Sequence, residues 1–258
     1  TNGHGIIDFL STSDENVQKG FSDTFNASRT SNIDSIVLSE TDDEVLFVVS
    51  YSEDDDNFSG NCRFMVLKHN NLTPSFSFGS EFTFESLNDL PFSIFDKRMC
   101  LLDDNKFALV YNKENTNVSL LVGSVGTNVN DTDGRLSNSN LVNTNVTIFS
   151  CCPIDETKSF VVYHSNGYIN CKIVTIDSDF ALNFTSEVKI DQTDSSNLSC
   201  DCMNKRILVS SVNSSGIMKV YLLLNIDGPD VILLNSFVYS IENSLSSLNA
   251  SSDTSFLV

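Results

Sequence analysis

The chain has no tryptophan, few basic residues and no long apolar run, and each shortage excludes a class of function. Its 258 residues include 15 Lys and Arg against 34 Asp and Glu, for a net charge of -19. Nucleic acids and anionic membranes bind to clustered Lys and Arg, so we expect neither as a partner. No apolar run reaches the roughly 18–20 residues of a membrane-spanning helix, so we expect no membrane insertion. Trp is the strongest stacking platform, and its absence weakens a lectin assignment.

The cysteines and the glycosylation sequons both indicate an oxidising, extracellular compartment. Seven cysteines without a CxxC zinc pattern favour disulfides, and the odd number leaves at least one thiol without an intramolecular partner. Asn-X-Ser/Thr sequons fall mostly at predicted strand ends and turns, where a glycan has room. The candidate N-glycosylation sites are Asn26, Asn57, Asn71, Asn117, Asn130, Asn145, Asn183, Asn197, Asn213 and Asn249. We therefore expect a secreted or cell-surface glycoprotein with N-linked glycans, and we interpret the start at Thr1 as that of a mature or excised segment.

The segment 147–190 is predicted to form four short strands joined by three turns. The strands 147–154, 159–165, 168–176 and 182–190 are rich in Val, Ile, Phe, Thr and Tyr, and the turns between them use Asp, Ser, Asn and Gly. Strand-forming residues between such turns are typical of consecutive antiparallel hairpins.

The second strand of this unit recurs along the chain as an acidic or polar turn followed by an apolar run. The copies are TDDEVLFVVSY (41–51), LDDNKFALVY (102–111), IDETKSFVVY (154–163), MNKRILVSSV (203–212) and SSDTSFLV (251–258). Their equivalent apolar residues are Phe47, Phe107, Phe160, Ile207 and Phe256, which are separated by 60, 53, 47 and 49 residues. This spacing is typical of four-stranded blade repeats.

The two chain ends are predicted to be complementary halves of one unit. The segment 1–32 lacks the first two strands, and the C-terminal segment supplies only those strands, so the chain holds five units of about 52 residues. The sequence thus predicts an all-β fold, a five-bladed β-propeller of four-stranded antiparallel blades closed by both termini. The predicted blades are 244–258 with 1–32, 33–88, 89–142, 143–196 and 197–243. The alternatives are a fragment of a longer propeller and a subunit that exchanges half-blades with neighbouring chains, which would form filaments.

The repeats also resemble a known family. SFGSEFTF (77–84), LDDNKFALVY (102–111) and YSEDDDNFSGNCRFMVL (51–67) are similar to the degenerate propeller repeats of large secreted and cell-surface proteins. The resemblance covers nearly the whole chain, although the copy at 203–212 has no Tyr at its end. It implies the propeller fold and adhesive, structural or ligand-display roles, and it supplies no catalytic residues.

Five cysteines lie on or beside the predicted first strands, which line the central channel of a propeller. Because first strands of adjacent blades approach each other, Cys100 can pair with Cys151 or Cys152, and the remaining one of these two with Cys200 or Cys202. The alternative is that several are buried small apolar residues.

Acidic turns recur at one end of the predicted blades. Asp103, Asp104, Asp155 and Glu156 are the candidate ligands for calcium, which binds several oxygen atoms at once. Asp also favours turns through its own hydrogen bonds, and we prefer that interpretation and assign no metal site.

No catalytic constellation is visible, so we expect no enzyme. The histidines His4, His69 and His164 fall in predicted turns without the Ser and Asp pattern of a triad. Propeller glycosidases use paired carboxylates on first strands, where this chain offers only Asp96 and Asp201.

The repeated tyrosines Tyr51, Tyr111 and Tyr163 could stack on sugars, but we interpret them as packing between blades. The sequence therefore predicts an extracellular glycosylated propeller, a structural or adhesive module with protein partners or self-assembly, and a candidate subunit of a surface fibre. The first alternative is a carbohydrate-binding propeller with glycan partners, and a propeller glycoside hydrolase is the second.

Overall fold

The protein is built of antiparallel β-sheets. The computed structural model describes residues 4–13, 16–54, 60–87, 96–103, 105–113, 117–125, 137–142, 146–225, 231–240, 249–252 and 255–257. These segments form strands and turns, and none of them contains a helix that could cross a membrane. The chain divides into two compact units, one of Thr1–Phe95 with Val125–Gly134 and one of Asp96–Ser124 with Arg135–Val258.

The first unit holds one six-stranded sheet, here the first sheet. Its strands are β1 (His4–Ser13), β2 (Asn16–Glu40), β3 (Glu44–Asp54), β4 (Gly60–Asn70), β5 (Ser75–Phe78) and β6 (Phe82–Leu87). They follow the order β1-β2-β3-β4-β5, and β6 also pairs with β4. The long strand β2 serves two neighbours, because its first half pairs with β1 and its second half pairs with β3.

The second unit holds three further sheets and a hairpin. The second sheet has β7 (Lys97–Asp103), β8 (Lys106–Lys113), β9 (Asn117–Ser124) and β10 (Ser137–Val142). The third sheet has β11 (Val146–Asp155), β12 (Lys158–Ser165), β13 (Tyr168–Ile176), β14 (Leu182–Phe184) and β15 (Val188–Gln192). The fourth sheet has β16 (Asn197–Met203), β17 (Arg206–Val212), β18 (Ile217–Asn225) and β19 (Val231–Ser240), and the hairpin is β20 (Asn249–Ser252) with β21 (Ser255–Leu257). Strands pair in chain order within each sheet, except that β14 and β15 both pair with β13.

The strands predicted for 147–190 are confirmed. The structure differs only in the fourth strand, which is split into β14 and β15, both paired with β13. The tight turn between β12 and β13 is formed by Asn166 and Gly167, with φ of 54° and 77°. Two consecutive residues with positive φ match the right-handed twist of the strands, which is why Asn-Gly occurs at such a turn.

Apolar layers lie on both faces of the third sheet. One layer joins it to the second sheet through residues such as Val110, Leu120 and Val161. The other joins it to the fourth sheet through residues such as Phe160 and Ile207. Strand β12 therefore has inward-facing residues on both sides, which explains its continuous apolar run FVVY.

The all-β prediction is confirmed, and the blade arrangement stays a prediction. The second, third and fourth sheets fall within the predicted blades 89–142, 143–196 and 197–243, whereas the first sheet spans both 1–32 and 33–88. Strand β1 is hydrogen-bonded to β2, and β20 to β21. No sheet among the described residues closes on itself. The sharing of one blade by 1–32 and 244–258, like the count of five blades, is left untested by these pairings.

Candidate functional site

A cleft of about 280 Å³ lies in the first unit and is its candidate binding site. Its lining residues are Ile7, Asp8, Glu40, Val45, Phe47, His69, Asn71 and Phe76. The register of the sheet explains part of this grouping, because Val45 on β3 lies opposite His69 on β4, which lies opposite Phe76 on β5. The volume is slightly below the roughly 300–1,000 Å³ of typical ligand pockets, so the cleft suits a small ligand.

Two half-buried phenylalanines form the apolar wall of the cleft. The ring of Phe76 packs edge to face on Phe47, with centroids 6.2 Å apart and an interplanar angle of 76°. On its other side Phe76 lies 5.2 Å from the imidazole of His69. Because both phenylalanines keep part of their rings accessible, the wall offers an apolar surface to a ligand.

The polar side of the cleft is held by a pair of hydrogen-bonded side chains, His69 and Asn71. Asn71 Nδ2 donates to the carbonyl oxygens of Thr41 and Asp42 at 3.4 and 3.2 Å, which orients the amide. Its Oδ1 therefore faces Nδ1 of His69 at 2.9 Å. An amide oxygen only accepts, so Nδ1 of this buried imidazole carries the hydrogen.

Two exposed carboxylates, Asp8 and Glu40, complete the lining. Carboxylates accept hydrogen bonds from hydroxyl groups and attract cations. The cleft thus combines aromatic faces with acceptors, an arrangement suited to holding a ligand. Throughout the part of the chain that the structure describes, no group of three or more His, Cys, Asp or Glu is placed to hold a metal ion.

The described candidate calcium ligands lie at strand ends or in the turn that follows. Oδ1 of Asp155 accepts hydrogen bonds from the backbone N–H and the hydroxyl of Thr157, both at 2.8 Å. This carboxylate therefore shapes the turn between β11 and β12, in which Glu156 also lies. Asp103 ends β7, and Asp104 lies outside the described residues. Calcium binding stays a prediction.

The five candidate disulfide cysteines all lie on first strands, as predicted. Cys100 is on β7, Cys151 and Cys152 are on β11, and Cys200 and Cys202 are on β16. In the structure none of the five is joined in a disulfide. Strand β11 packs against both β7 and β16, so the first strands of neighbouring sheets do approach each other. Disulfide formation stays a prediction.

The prediction that the three histidines lie in turns is wrong. His4 begins β1, His69 lies in β4 and His164 lies in β12. The strands extend further into the predicted turns than their apolar runs, because backbone pairing continues through the polar residues at the strand ends. His164 is buried, and its Nε2 donates to the carbonyl oxygen of Thr193 at 3.1 Å.

The carboxylates considered for hydrolysis are engaged in local hydrogen bonds. Asp96 Oδ1 accepts from the guanidinium of Arg98 at 2.9 Å. Asp201 Oδ1 accepts from the backbone N–H of Cys202 at 2.8 Å. Asp96 directly precedes the second sheet, and Asp201 lies in the fourth sheet. Neither hydrogen bond joins the two carboxylates, so these bonds do not bring them together as a catalytic pair.

The repeated tyrosines are buried, and packing between sheets is shown for Tyr163, whereas packing of Tyr51 and Tyr111 between blades stays a prediction. Tyr51, Tyr111 and Tyr163 are each 0% exposed, so none can stack on a sugar at the surface. Tyr163 lies in the apolar layer between the second and third sheets.

Sequence reasoning missed the carboxylates that bond these tyrosines. The hydroxyl of Tyr51 donates to Glu81 Oε1 at 2.5 Å, and the hydroxyl of Tyr163 donates to Glu187 Oε2. Burial first, and then the hydrogen bond and charge of the carboxylate, raise the pKa of both tyrosines well above the usual range. Each glutamate directly precedes the second part of a split outer strand, β6 or β15. The repeated Ser-Glu in SFGSEFTF and NFTSEVKI was the available signal.

A third buried tyrosine repeats the arrangement between two sheets. Tyr221 on β18 donates to Asp191 Oδ2 on β15 at 2.7 Å, and Lys219 Nζ lies 2.8 Å from the same oxygen. Burial raises the pKa of Tyr221 well above its usual range, followed by the bond and charge of Asp191. Burial raises the pKa of Asp191 as well. Hydrogen bonds from Lys219 and Tyr221 outweigh this effect and hold the pKa of the carboxyl below its usual value.

The sequon asparagines differ in accessibility. Asn26 is buried, whereas Asn183 is exposed on β14. Asn213 uses its Oδ1 to accept from the backbone of Ser215 and Ile217, which leaves Nδ2, the atom to which a glycan would be attached, out of those bonds. Three sequon asparagines lie outside the described residues: Asn57, Asn130 and Asn145. The others are Asn71 in the cleft, Asn117 and Asn249 at strand starts, and half-buried Asn197. Glycosylation stays a prediction.

No protein-family model and no curated protein matches the chain. One similar solved structure comes from an analysis of two prolyl endopeptidases, with 9% identity and a TM-score of 0.46 over 83% of this chain and 29% of that one. Another is a mutant of Trypanosoma rangeli sialidase displaying trans-sialidase activity, with 10% identity and a TM-score of 0.49 over 91% of this chain and 41% of that one. The chain thus spans less than half of either protein. TM-scores below 0.5 assign neither a fold family nor an activity.

Proposed function

We propose that this chain is an extracellular, glycosylated β-propeller of five blades that serves as a structural or adhesive module. One observation carries the proposal. Three consecutive four- or five-stranded antiparallel sheets lie face to face in the second unit, with β11 packed between β7 and β16. Chain-order sheets that pack through apolar layers, with their first strands side by side, are the construction of propeller blades.

A binding role is favoured over catalysis by what the titratable groups do. Glu81, Glu187 and Asp191 each accept a hydrogen bond from a buried tyrosine. The first two bonds connect the outer part of a sheet to the strand beyond its direct neighbour, and the third connects β15 to the fourth sheet. Asp96 and Asp201 are engaged locally. These five carboxylates therefore serve the architecture, as expected of a scaffold that presents surfaces to partners.

The assembly can be tested by negative-stain imaging of the full chain secreted from eukaryotic cells, with and without enzymatic deglycosylation. We expect ring-shaped particles with five lobes, and rows of such rings if the chain is a fibre subunit. Single monodisperse rings would refute the fibre, and particles without rings would refute the propeller. Secretion without any mass lost on deglycosylation would refute the glycoprotein assignment separately.

Carbohydrate binding is the second candidate function, and the cleft of the first unit favours it. Phe47 and Phe76 offer half-buried aromatic rings on which the C–H face of a sugar can pack, while Asp8 and Glu40 can accept from its hydroxyls.

Glycan-array binding by the unaltered protein, compared with binding by two phenylalanine variants, tests this candidate. We expect Phe76→Ala to weaken binding about tenfold or more, a loss of ~1.4 kcal/mol. Phe82→Ala is the matched control, because Phe82 belongs to the same sheet but stacks on Phe64, with centroids 5.0 Å apart, outside the cleft. An array on which the unaltered protein binds nothing would exclude the candidate, and equal losses in both variants would move the site away from the cleft.

A further inference from the structure

Two adjacent cysteines on β11 point to opposite faces of the third sheet. Successive side chains along a strand alternate between faces. Cys151 belongs to the apolar layer shared with the second sheet, and Cys152 belongs to the layer shared with the fourth sheet. The two thiols therefore have different neighbours, although they are consecutive in sequence.

On the fourth-sheet side, Cys152 meets Cys200. Cys200 lies on β16, the first strand of the fourth sheet, which packs directly against β11. Its side chain points into the same apolar layer. After burial, the neighbouring Cys200 is the main cause that raises the pKa of the Cys152 thiol. Both residues are buried, at 3% and 7% exposure. Two thiols are thus brought together from neighbouring sheets in a site closed to water.

On the second-sheet side, the thiols have oxygen partners. Cys151 Sγ donates to the carbonyl oxygen of Arg98 at 3.6 Å. Cys100 Sγ lies 3.6 Å from the hydroxyl oxygen of Ser159. The six cysteine pairs that the sequence left open are therefore not equivalent in the structure. Cys152 and Cys200 are buried first-strand cysteines that share one apolar layer between two sheets, and neither of these two thiol–oxygen contacts involves them.

We propose that Cys152 and Cys200 form a disulfide that covalently joins the third and fourth sheets. A small-molecule disulfide such as oxidised glutathione is the oxidant. The two cysteines lose their S–H hydrogens, one S–S bond forms between them, and the oxidant takes up two electrons and two protons to leave as two thiols. That the bond forms in the native protein rests on the extracellular location proposed above. That these two sulfurs pair with each other rests on the geometry alone.

The bond would close a loop from residue 152 to residue 200, which restricts the unfolded chain more than the folded one. For a chain of this length we expect the oxidised form to melt about 5–10 °C higher than the reduced form. Because both sulfurs are buried, we also expect the folded protein to keep the bond in mild reductant and to lose it on unfolding.

The pairing is tested on the full chain refolded from denaturant in a buffer of reduced and oxidised glutathione, then alkylated and mapped by mass spectrometry. We expect one cross-link between Cys152 and Cys200, retained in Cys151→Ser and lost, with the gain in melting temperature, in Cys152→Ser and Cys200→Ser. A different cross-link to Cys200, for example from Cys171, or complete alkylation of the refolded unaltered chain would overturn the proposal. The cross-link map of the unaltered chain tests the proposal even if one of the variants does not fold.

The same map on protein collected from the secretory medium separates this inference from the proposed function. A bond that forms on refolding but is absent from the collected protein would refute the oxidising location and leave the pairing intact. A collected protein with other disulfides would refute the pairing and leave the location intact.

Discussion

Replacing Tyr163 by Phe should destabilise the protein at neutral pH and stop doing so near pH 11. The side chain is completely buried, and its hydroxyl donates to Glu187. At about pH 8 the variant loses this charge-assisted bond. Because Glu187 is exposed and water can solvate it afterwards, we expect a loss near the lower limit for such bonds, about 1.5 kcal/mol.

At alkaline pH the same buried hydroxyl lowers the free energy of unfolding. Burial, followed by the bond and charge of Glu187, raises the pKa of Tyr163 above its unfolded value of about 10. A raised folded-state pKa means that the unfolded chain releases its proton first, so stability falls as pH rises above ~10. The fall reaches about 1.4 kcal/mol at pH 11, and the phenylalanine variant has no proton to lose at this position. The difference between the two proteins should therefore shrink from about 1.5 kcal/mol to about zero near pH 11.

The measurement is urea unfolding followed by far-ultraviolet circular dichroism between about pH 8 and pH 11. Glu187→Gln is the control, because it weakens the bond but leaves the hydroxyl buried, so its difference from the unaltered protein should stay constant with pH. A constant difference for Tyr163→Phe over the same range would show that the hydroxyl is not held in its neutral form, and would refute the reasoning.

Two further substitutions test the first sheet. Arg63 Nη2 lies 2.9 Å from Glu53 Oε2 and Nη1 bonds Glu81, so Arg63→Met should leave two carboxylates without their cation and lower the free energy of unfolding by about 1–2 kcal/mol. The urea midpoint checks this, and a midpoint equal to that of the unaltered protein would contradict it. A Cβ on Gly5 would lie 2.5 Å from Phe25 Cζ, so Gly5→Ala should cost about 1–3 kcal/mol through displacement of that buried ring. An unchanged melting temperature would contradict this prediction, because it would show that the Phe25 ring is displaced without a loss of stability.

The strands could be predicted because their signals are local. Strand-forming residues between Asp, Asn and Gly turns located β11, β12 and β13 almost to the residue. The same pattern, repeated at about 50-residue spacing, located β3, β8 and β17. The opposite directions of Cys151 and Cys152 also follow from alternation along a strand, once the strand is known to be covered on both faces.

The cleft and the tyrosine–carboxylate bonds could not be predicted because they depend on long-range register. Glu81 is 30 residues from Tyr51, and it reaches the hydroxyl only because the outer strand is interrupted between β5 and β6. Phe47 was identified as a repeat position, but the cleft beside it needs residues from β1, β4 and β5. His69 was assigned to a turn because the apolar run ends before it, whereas backbone pairing with Val45 and Phe76 keeps it in the sheet.

The three tyrosine–carboxylate bonds also give the protein an optical property. The chain has no Trp, so its intrinsic emission comes from its six tyrosines. A carboxylate that accepts a hydrogen bond from a phenol withdraws the proton of the excited ring and quenches its light. We therefore expect Tyr51, Tyr163 and Tyr221 to emit weakly while these hydrogen bonds are formed. Detachment of β6 or β15 would brighten the emission, so the protein reports the opening of its own sheet edges without an added dye.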